Sequence, residues 1–193
     1  MKFIFCLYDL SYTPEFVKSW VNLCNLLNNK KIVYNISSGD SCNAFYAKQM
    51  SLKGNVLNGS DQKPFQGQYN YEYIVFLSGN ILFNNNDFIK LYNKISTNEL
   101  NFLSVKVKDR YKLTEKTQGE FKLAEYLDFD MVMIKSGVIE KLTYPWFKPH
   151  ESKNKEEQKF TDIDICKRIR KEAGVNLLID PSIQIKRKVT IYE

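Results

Sequence analysis

An unbroken apolar run followed by a small polar triplet is the feature that most constrains the fold of this chain. Residues 73–77 read Tyr-Ile-Val-Phe-Leu, and Ser78, Gly79 and Asn80 follow directly. A short apolar run without alternation is typical of a strand buried on both faces, as in the middle of a parallel sheet. Polar groups beyond the carboxyl end of such a strand lie where α/β sheets open a ligand crevice. The run therefore predicts an α/β domain with its site beyond this strand.

The composition predicts one folded domain over residues 1–193, because 44% of the residues are hydrophobic. No apolar stretch approaches the roughly 18 residues of a membrane span, and the first apolar run is too short for a signal-peptide core. We therefore expect a cytoplasmic protein. The four cysteines form no CxxC pair, which favours free thiols. The net charge of +6 fits a phosphorylated ligand, nucleic acid or a membrane surface, or only a lysine-rich surface.

Local signals predict that helices alternate with strands. Residues 2–7 and 31–36 are predicted strands, joined by a helix that begins at Pro14 with Thr13 as its N-cap. Asp87 is predicted to cap a second helix. Residues 109–122 are polar and predicted to be exposed, and the charged run 153–159 is predicted to be a mobile loop.

Four segments of the second half carry a resemblance to a known family. They are residues 73–83, residues 128–142, the turn Tyr144-Pro145-Trp146-Phe147, and residues 160–185 with their Glu-Ala-Gly and Asp-Pro-Ser-Ile runs. In order and spacing they resemble the small family-2-like nucleotide-sugar glycosyltransferases of phages and bacteria, which have the GT-A fold. The resemblance implies a three-layer α/β/α sandwich with a mostly parallel central sheet, a nucleotide-sugar donor and a carbohydrate acceptor.

The chain departs from that family at the positions that hold a metal. The family's acidic DxD triplet is replaced by Ser78 and Asn80, and a histidine after the last conserved strand is absent. Mn²⁺ or Mg²⁺ needs hard, negatively charged oxygen ligands, so the site looks degraded, and Asn80 alone remains as a candidate ligand. Lys186 and Arg187 stand near the position of the lost histidine. They could neutralise a leaving diphosphate in place of the metal, or they could belong to a solvated end strand.

The resemblance also implies a set of donor-binding residues. Side chains after the first strand would meet the nucleobase, and an acid after the second would meet uracil or ribose. Asn43 follows Cys42, which replaces an arginine of the family. The predicted donor site comprises Tyr8, Asp9, Asp40, Asn43, Ser78, Asn80, Lys186 and Arg187.

The predicted acceptor side centres on Asp162, which matches the family's catalytic base for deprotonating an acceptor hydroxyl. The alternative for Asp162 is a helix cap favoured by the helix dipole. Asp128 and Asp130 could bind sugar hydroxyls or mark an exposed turn, and Trp146 could stack on a sugar or pack its turn onto the core. Asp164 is the last predicted acceptor-side residue.

These observations predict a protein that transfers a sugar from a nucleotide-sugar to an unknown hydroxyl, without requiring a metal. The alternative is a catalytically inactive descendant that binds a nucleotide-sugar or carbohydrate. Nucleic-acid binding is a third hypothesis, which no recognition motif in the sequence favours.

Overall fold

The computed structural model describes residues 1–150, 157 and 160–188. Its strands are β1 (Phe3–Leu7), β2 (Tyr34–Ser38), β3 (Tyr73–Leu77), β4 (Ile81–Leu82), β5 (Phe102–Val107), β6 (Tyr111–Gln118), β7 (Phe121–Leu127), β8 (Met131–Lys135) and β9 (Leu178–Arg187). Its α-helices are α1 (Pro14–Asn29), α2 (Ala44–Ser51), α3 (Asn85–Thr97) and α4 (Ile163–Glu172). All the strands join one sheet, in the order β2-β1-β3-β8-β5-β9-β7-β6, with β4 paired to β9. The charged run 153–159 lies outside the described residues except for Glu157.

The sheet is mixed and mostly antiparallel, so the predicted GT-A sandwich with a mostly parallel sheet is wrong. Only β1 with β2, β1 with β3, and β5 with β9 pair in parallel. The apolar strand β3 is buried throughout, as predicted, but β8 runs antiparallel to it. A continuous apolar run reports burial on both faces of a sheet and carries no information about the direction of the neighbouring strand. The prediction failed at that step.

The hydrophobic core lies on both faces of the sheet. On one face, Phe3 and Phe5 of β1 pack with Leu23 of α1 and Phe88 of α3. The opposite face holds α2 and α4 together with Trp146. Alternate residues of each central strand supply the two faces. Because both faces of β1 and β3 are buried, their sequences are apolar without alternation.

The predicted start of α1 is confirmed, and that of α3 is shifted. Thr13 caps α1 by accepting a hydrogen bond from the Phe16 amide at 3.2 Å, and Pro14 is the first helical residue. The N-cap of α3 is Asn84 rather than Asp87, whose carboxylate instead accepts from the Asn84 amide as the second half of a capping box.

Residues 109–122 are exposed or half-buried except for Phe121, in line with their predicted exposure, and they build most of a β-hairpin from β6 and β7. Its polar side chains are explained by the exposure of β6. Only β7 continues the sheet, by pairing with β9.

The strand directions gather three chain segments at one edge of the sheet. Since β1 and β3 are parallel, the residues that follow each of them meet there. The last residues of β9 reach the same place because β9 pairs with β4, and the Lys188 amide donates to the Asn80 carbonyl at 2.8 Å. The loop after β1, the triplet after β3 and the end of β9 therefore share one edge.

None of the helices in the described ranges is long and apolar enough to cross a membrane.

Gly39, directly after β2, allows α2 to pack tightly against the sheet. A Cβ atom at this position would lie 1.7 Å from the Ala47 carbonyl oxygen and 2.8 Å from the Ser51 nitrogen. We expect Gly39→Ala to lower the free energy of unfolding by about 3 kcal/mol or more, because backbone atoms cannot rotate away from the new methyl group. Denaturant unfolding measures the change. Ser38→Ala at the exposed neighbour is the control, and equal stability of the two variants would contradict the assigned contact.

Candidate functional site

A cavity of about 1070 Å³ opens at the shared edge of the sheet. Its walls come from the loop after β1, the residues before α2, the turn between β5 and β6, and the end of β9. Tyr8, Asp9, Asn80, Lys186 and Arg187, five of the predicted donor-site residues, line it. The volume is of the size that accommodates small-molecule ligands in proteins.

Ser78, Asn80 and Asp9 form a small polar cluster on one wall. The Ser78 Oγ atom lies 2.9 Å from Asp9 Oδ2 and 2.7 Å from Asn80 Oδ1. Asp9 Oδ2 also accepts a hydrogen bond from the Gly79 amide. The single carboxylate of the cluster is thus already engaged by neutral donors of the triplet.

This cluster does not fit Mn²⁺ or Mg²⁺. It offers one carboxylate, one hydroxyl and one amide oxygen, where a divalent ion beside a diphosphate needs several anionic oxygens. The adjoining wall carries cations, which repel a metal ion. In the described residues no cluster of three His, Cys, Asp or Glu side chains could hold a metal.

The adjoining wall is strongly basic. Asp9 and Asp109 are the acids among the lining residues, against five cations: Lys108, Arg110, Lys186, Arg187 and Lys188. Lys188 is partly neutralised by Glu15 at 2.6 Å. Lys108 and Lys186 are exposed and form no ion pair with the described part of the chain. The cavity therefore presents a net positive field to a ligand.

Two buried carboxylates support the arginines of this wall. Arg110 Nη2 lies 2.6 Å from Asp128 Oδ2, and its Nε lies 3.4 Å from Asp130 Oδ2. Arg187 Nη1 lies 3.4 Å from Asp130 Oδ1. Asp128 and Asp130 were predicted to meet an acceptor, but their side chains are only 2% and 3% exposed. In this structure they anchor the arginines instead of facing a ligand.

Burial is the largest influence on the pKa values of Asp128 and Asp130. Removal from water raises the pKa of Asp128 to about 6, and the negative charge of Asp162 adds to the effect, while Arg110 opposes it. The pKa of Asp130 is also raised by burial, with Arg187 and Arg110 opposing. Asp128 is further tied to the start of α4, since its Oδ1 accepts from the Thr161 amide at 2.9 Å.

Asp162, the predicted catalytic base, lies in a buried ion pair. Lys48 Nζ is 2.6 Å from both carboxylate oxygens, with side-chain exposures of 3% for Lys48 and 0% for Asp162. The Phe129 amide donates to Asp162 Oδ2 at 2.9 Å, and the Lys48 ammonium lies 4.8 Å from the centre of the Tyr8 ring. Asp162 stands at the N-cap position of α4, but its side chain makes no capping bond. Of the two predicted roles of Asp162, the helix cap does not form, and the carboxylate is instead bound by Lys48 and the Phe129 amide.

The remaining predicted residues lie apart from the cavity centre or serve local structure. Asn43 caps α2 by accepting from the Phe45 amide at 3.0 Å. Asp40 is exposed, and Asp164 is half-buried with Arg168 at 3.9 Å. Trp146 is 0% exposed, so an acceptor sugar could contact it only if its turn opened.

The Trp146 turn is fixed by side chains of α4 and α2, and the Trp146 amide donates to Gln49 Oε1 at 3.0 Å. Arg168 of α4 donates to the Pro145 carbonyl at 2.6 Å and also to the carbonyl of Thr143. Of the two predicted roles of Trp146, stacking on a sugar or packing its turn onto the core, its position in this structure matches the packing role.

Sequence reasoning missed Lys48 and Arg110. Neither stands in a recognisable motif, and Arg110 meets Asp128 only because the β6–β7 hairpin brings its two ends together. Lys48 and Asp162 are 114 residues apart. The only signal for Lys48 is that its helix neighbours Ala47 and Ser51 are buried. This signal does not identify Asp162 as its partner.

Comparison with known proteins gives a likeness of fold alone. No protein-family model matches the chain, and no curated protein matches it. The solved structure of A197 from STIV superposes with a TM-score of 0.62 at 14% sequence identity, covering 98% of this chain and 87% of that one. At this identity the match shows a shared fold and carries no function.

Breaking the buried pair should destabilise the protein strongly. Lys48→Met leaves the Asp162 carboxylate buried without its counter-charge, which costs about 3–5 kcal/mol in such pairs. Asp162→Asn should also destabilise, and the double variant should lose less than the sum of the two. Urea unfolding of the four proteins measures this cycle. Lys2→Met, which breaks the exposed Lys2–Glu72 pair, should change stability by no more than about 1 kcal/mol. Strict additivity would contradict the pairing.

Asp128 should make the protein less stable as the pH rises through the weakly acidic range. Its pKa is about 6 in the folded chain against 3.8 in its ordinary state, so the folded form binds more protons between these values. The contribution of Asp128 to stability is thus complete below about pH 4 and is lost as the pH rises through about 6. Asp128→Asn should remove this part of the slope in unfolding free energy against pH. Asp109→Asn at an exposed site is the control, and an unchanged slope in Asp128→Asn would refute the assignment.

Proposed function

We propose that the protein binds a nucleotide-sugar in the basic cavity, with the diphosphate against Lys186, Arg187 and Arg110. The observation that carries the proposal is the charge of the lining, five cations against two acids. The sequence resemblance to nucleotide-sugar glycosyltransferases supports the same ligand class independently of the fold. We also expect the protein to act in the cytoplasm, where its cysteines remain reduced.

Direct contact with cations is sufficient to hold a diphosphate. Guanidinium groups present paired N–H donors that match phosphate oxygens, and an ammonium adds a mobile point charge. Arg187 is half-buried and oriented by Asp130, while Lys186 is exposed and free to adapt. Pre-oriented arginine loses little conformational freedom on binding. Because the polar cluster around Asp9 does not suit a divalent ion, we expect binding to be independent of metal.

Within this proposal, binding without sugar transfer is the version that the geometry favours. A general base must reach the acceptor hydroxyl within hydrogen-bonding distance. Asp162 is buried and engaged on both oxygens by Lys48, so transfer would require the pair to separate. The protein then acts as a nucleotide-sugar or carbohydrate-binding module. Glycosyl transfer is the second candidate, and turnover distinguishes it.

Calorimetric titration with UDP, GDP and their common sugar conjugates, each with Mn²⁺ and with a chelator, tests the proposal. We expect binding that survives the chelator. Lys186→Ala should weaken it by about tenfold or more, because a hydrogen bond to a charged group contributes about 1.5–3 kcal/mol. Lys186→Ala/Arg187→Ala should weaken it further.

The matched control is Lys116→Ala/Lys122→Ala, which removes the same charge from exposed positions of the β6–β7 hairpin. Metal-dependent binding, or equal affinity of both double variants, would refute the proposed site. Donor turnover that disappears in Asp162→Asn while binding remains would establish transfer. A gel shift with nucleic acid that falls steeply with salt would favour the third hypothesis.

A further inference from the structure

Asp9 uses only one of its two carboxylate oxygens within the described part of the protein. Oδ2 accepts hydrogen bonds from the Ser78 hydroxyl at 2.9 Å and from the Gly79 amide. Oδ1 has no hydrogen-bond or ion-pair partner in residues 1–150, 157 and 160–188. Because Asp9 is half-buried and lines the cavity, Oδ1 is left as an acceptor for a ligand.

Asn80 adds a second polar group beside Asp9. Ser78 Oγ lies 2.7 Å from the Asn80 side-chain amide and carries a single hydrogen, which the amide and the carboxylate cannot both receive. Whichever end of the amide meets Ser78, the other end remains for a ligand, since this side chain forms no further hydrogen bond with the described residues. Asn80 also lines the cavity. Asp9 and Asn80 therefore offer two hydrogen-bonding groups on one wall.

The loop after β1 packs tightly against the triplet and holds the two groups in place. The Thr13 amide donates to the Gly79 carbonyl at 2.9 Å. A Cβ atom on Gly79 would lie 2.7 Å from the Ser11 carbonyl oxygen, a backbone atom that cannot rotate away. This contact fixes the separation of Asp9 and Asn80 before a ligand arrives, which reduces the conformational freedom lost on binding.

A carboxylate in a cavity that attracts anions requires a neutral donor from the ligand, because it repels a phosphate placed against it. A hydroxyl both donates and accepts, so two neighbouring hydroxyls on a sugar ring match Asp9 and Asn80. The basic end of β9 lies alongside, since Ile81 pairs with Arg187 and the Lys188 amide donates to the Asn80 carbonyl at 2.8 Å. The two groups therefore face the part of a ligand that adjoins its phosphates.

We propose that Asp9 and Asn80 bind two neighbouring ring hydroxyls of the nucleotide-sugar, and that they select against rings that lack one of them. This inference rests on the proposed function, which supplies the ligand. The ring is the ribose or the attached sugar, since both adjoin the diphosphate. Ser78 is the positioning residue of the pair, because its hydroxyl contacts both side chains.

Ligand pairs that differ by one hydroxyl test the proposal. Calorimetry of the full chain compares UDP with 2′-deoxy-UDP for the ribose, and UDP-glucose with UDP-2-deoxyglucose for the attached sugar. The members of each pair carry the same charge, so the ratio of their affinities isolates the hydroxyl. We expect the hydroxyl to tighten binding by about tenfold or more in one of the pairs, because it donates to a charged acceptor.

Asp9→Asn should lower this ratio several-fold, since a neutral amide is a weaker acceptor than a carboxylate. Asn80→Ala should also lower it, with the Asp9 charge unchanged. Removing the Asp9 charge strengthens the attraction of the cavity for every anion, but it does so equally for both members of a pair. The ratio therefore separates hydroxyl recognition from charge, and circular dichroism verifies that each variant is folded.

Asp109→Asn is the matched control. It removes a carboxylate from the lining of the same cavity, at an exposed position without an ion pair to the described residues. This variant should bind both members of each pair more tightly and keep the original ratio.

Three outcomes would overturn the inference while the proposed function stands, because UDP or its conjugates still bind in each. They are a ratio near one in both pairs, a ratio that neither Asp9→Asn nor Asn80→Ala changes, and a ratio that Asp109→Asn lowers as much as Asp9→Asn does. Absence of binding by all four nucleotides would overturn the proposed function and this inference with it. Whether UDP binds thus distinguishes the two failures.

Discussion

The buried ion pair between Lys48 and Asp162 is the contact on which the packing of α2 and α4 against one face of the sheet depends. It joins α2 to the start of α4, and the Phe129 amide ties the same carboxylate to the segment between β7 and β8. Three chain segments that are distant in sequence are thus fixed by one charge pair. Because neither ion can return to water without opening the core, the pair specifies their relative position more than it contributes net stability.

A second layer of charge connects this pair to the cavity. Asp128 lies between the start of α4 and Arg110, and Asp130 orients both Arg110 and Arg187. The cations that face the cavity are therefore held from behind by buried acids. Such support fixes the position of a binding group before a ligand arrives. The buried acids also reduce the positive field of the wall.

The sequence resemblance and the basic lining of the cavity both support the proposal of a nucleotide-sugar ligand, whereas the contacts of Asp162 do not favour sugar transfer. Asn80 of the triplet after β3 lines the cavity, and the end of β9 with Lys186 and Arg187 lies beside it because β4 pairs with β9. The residue that the resemblance names as a base is committed to Lys48. In the proposed function, the cavity cations bind the ligand, and Asp162 is not available as a base while it is paired with Lys48.

The sequence by itself determined the buried strand β3, the start of α1 at Thr13 and Pro14, and the position of the polar triplet beyond the sheet. These follow from local rules, since burial on two faces, capping and φ restriction are written in neighbouring residues. Strand direction and the charge partners were decided only by the tertiary structure. The direction of β8 depends on how the chain returns to the sheet, and Lys48 meets Asp162 across 114 residues. The energy of a buried charge depends on which opposite charge is folded against it, and no local pattern records that choice.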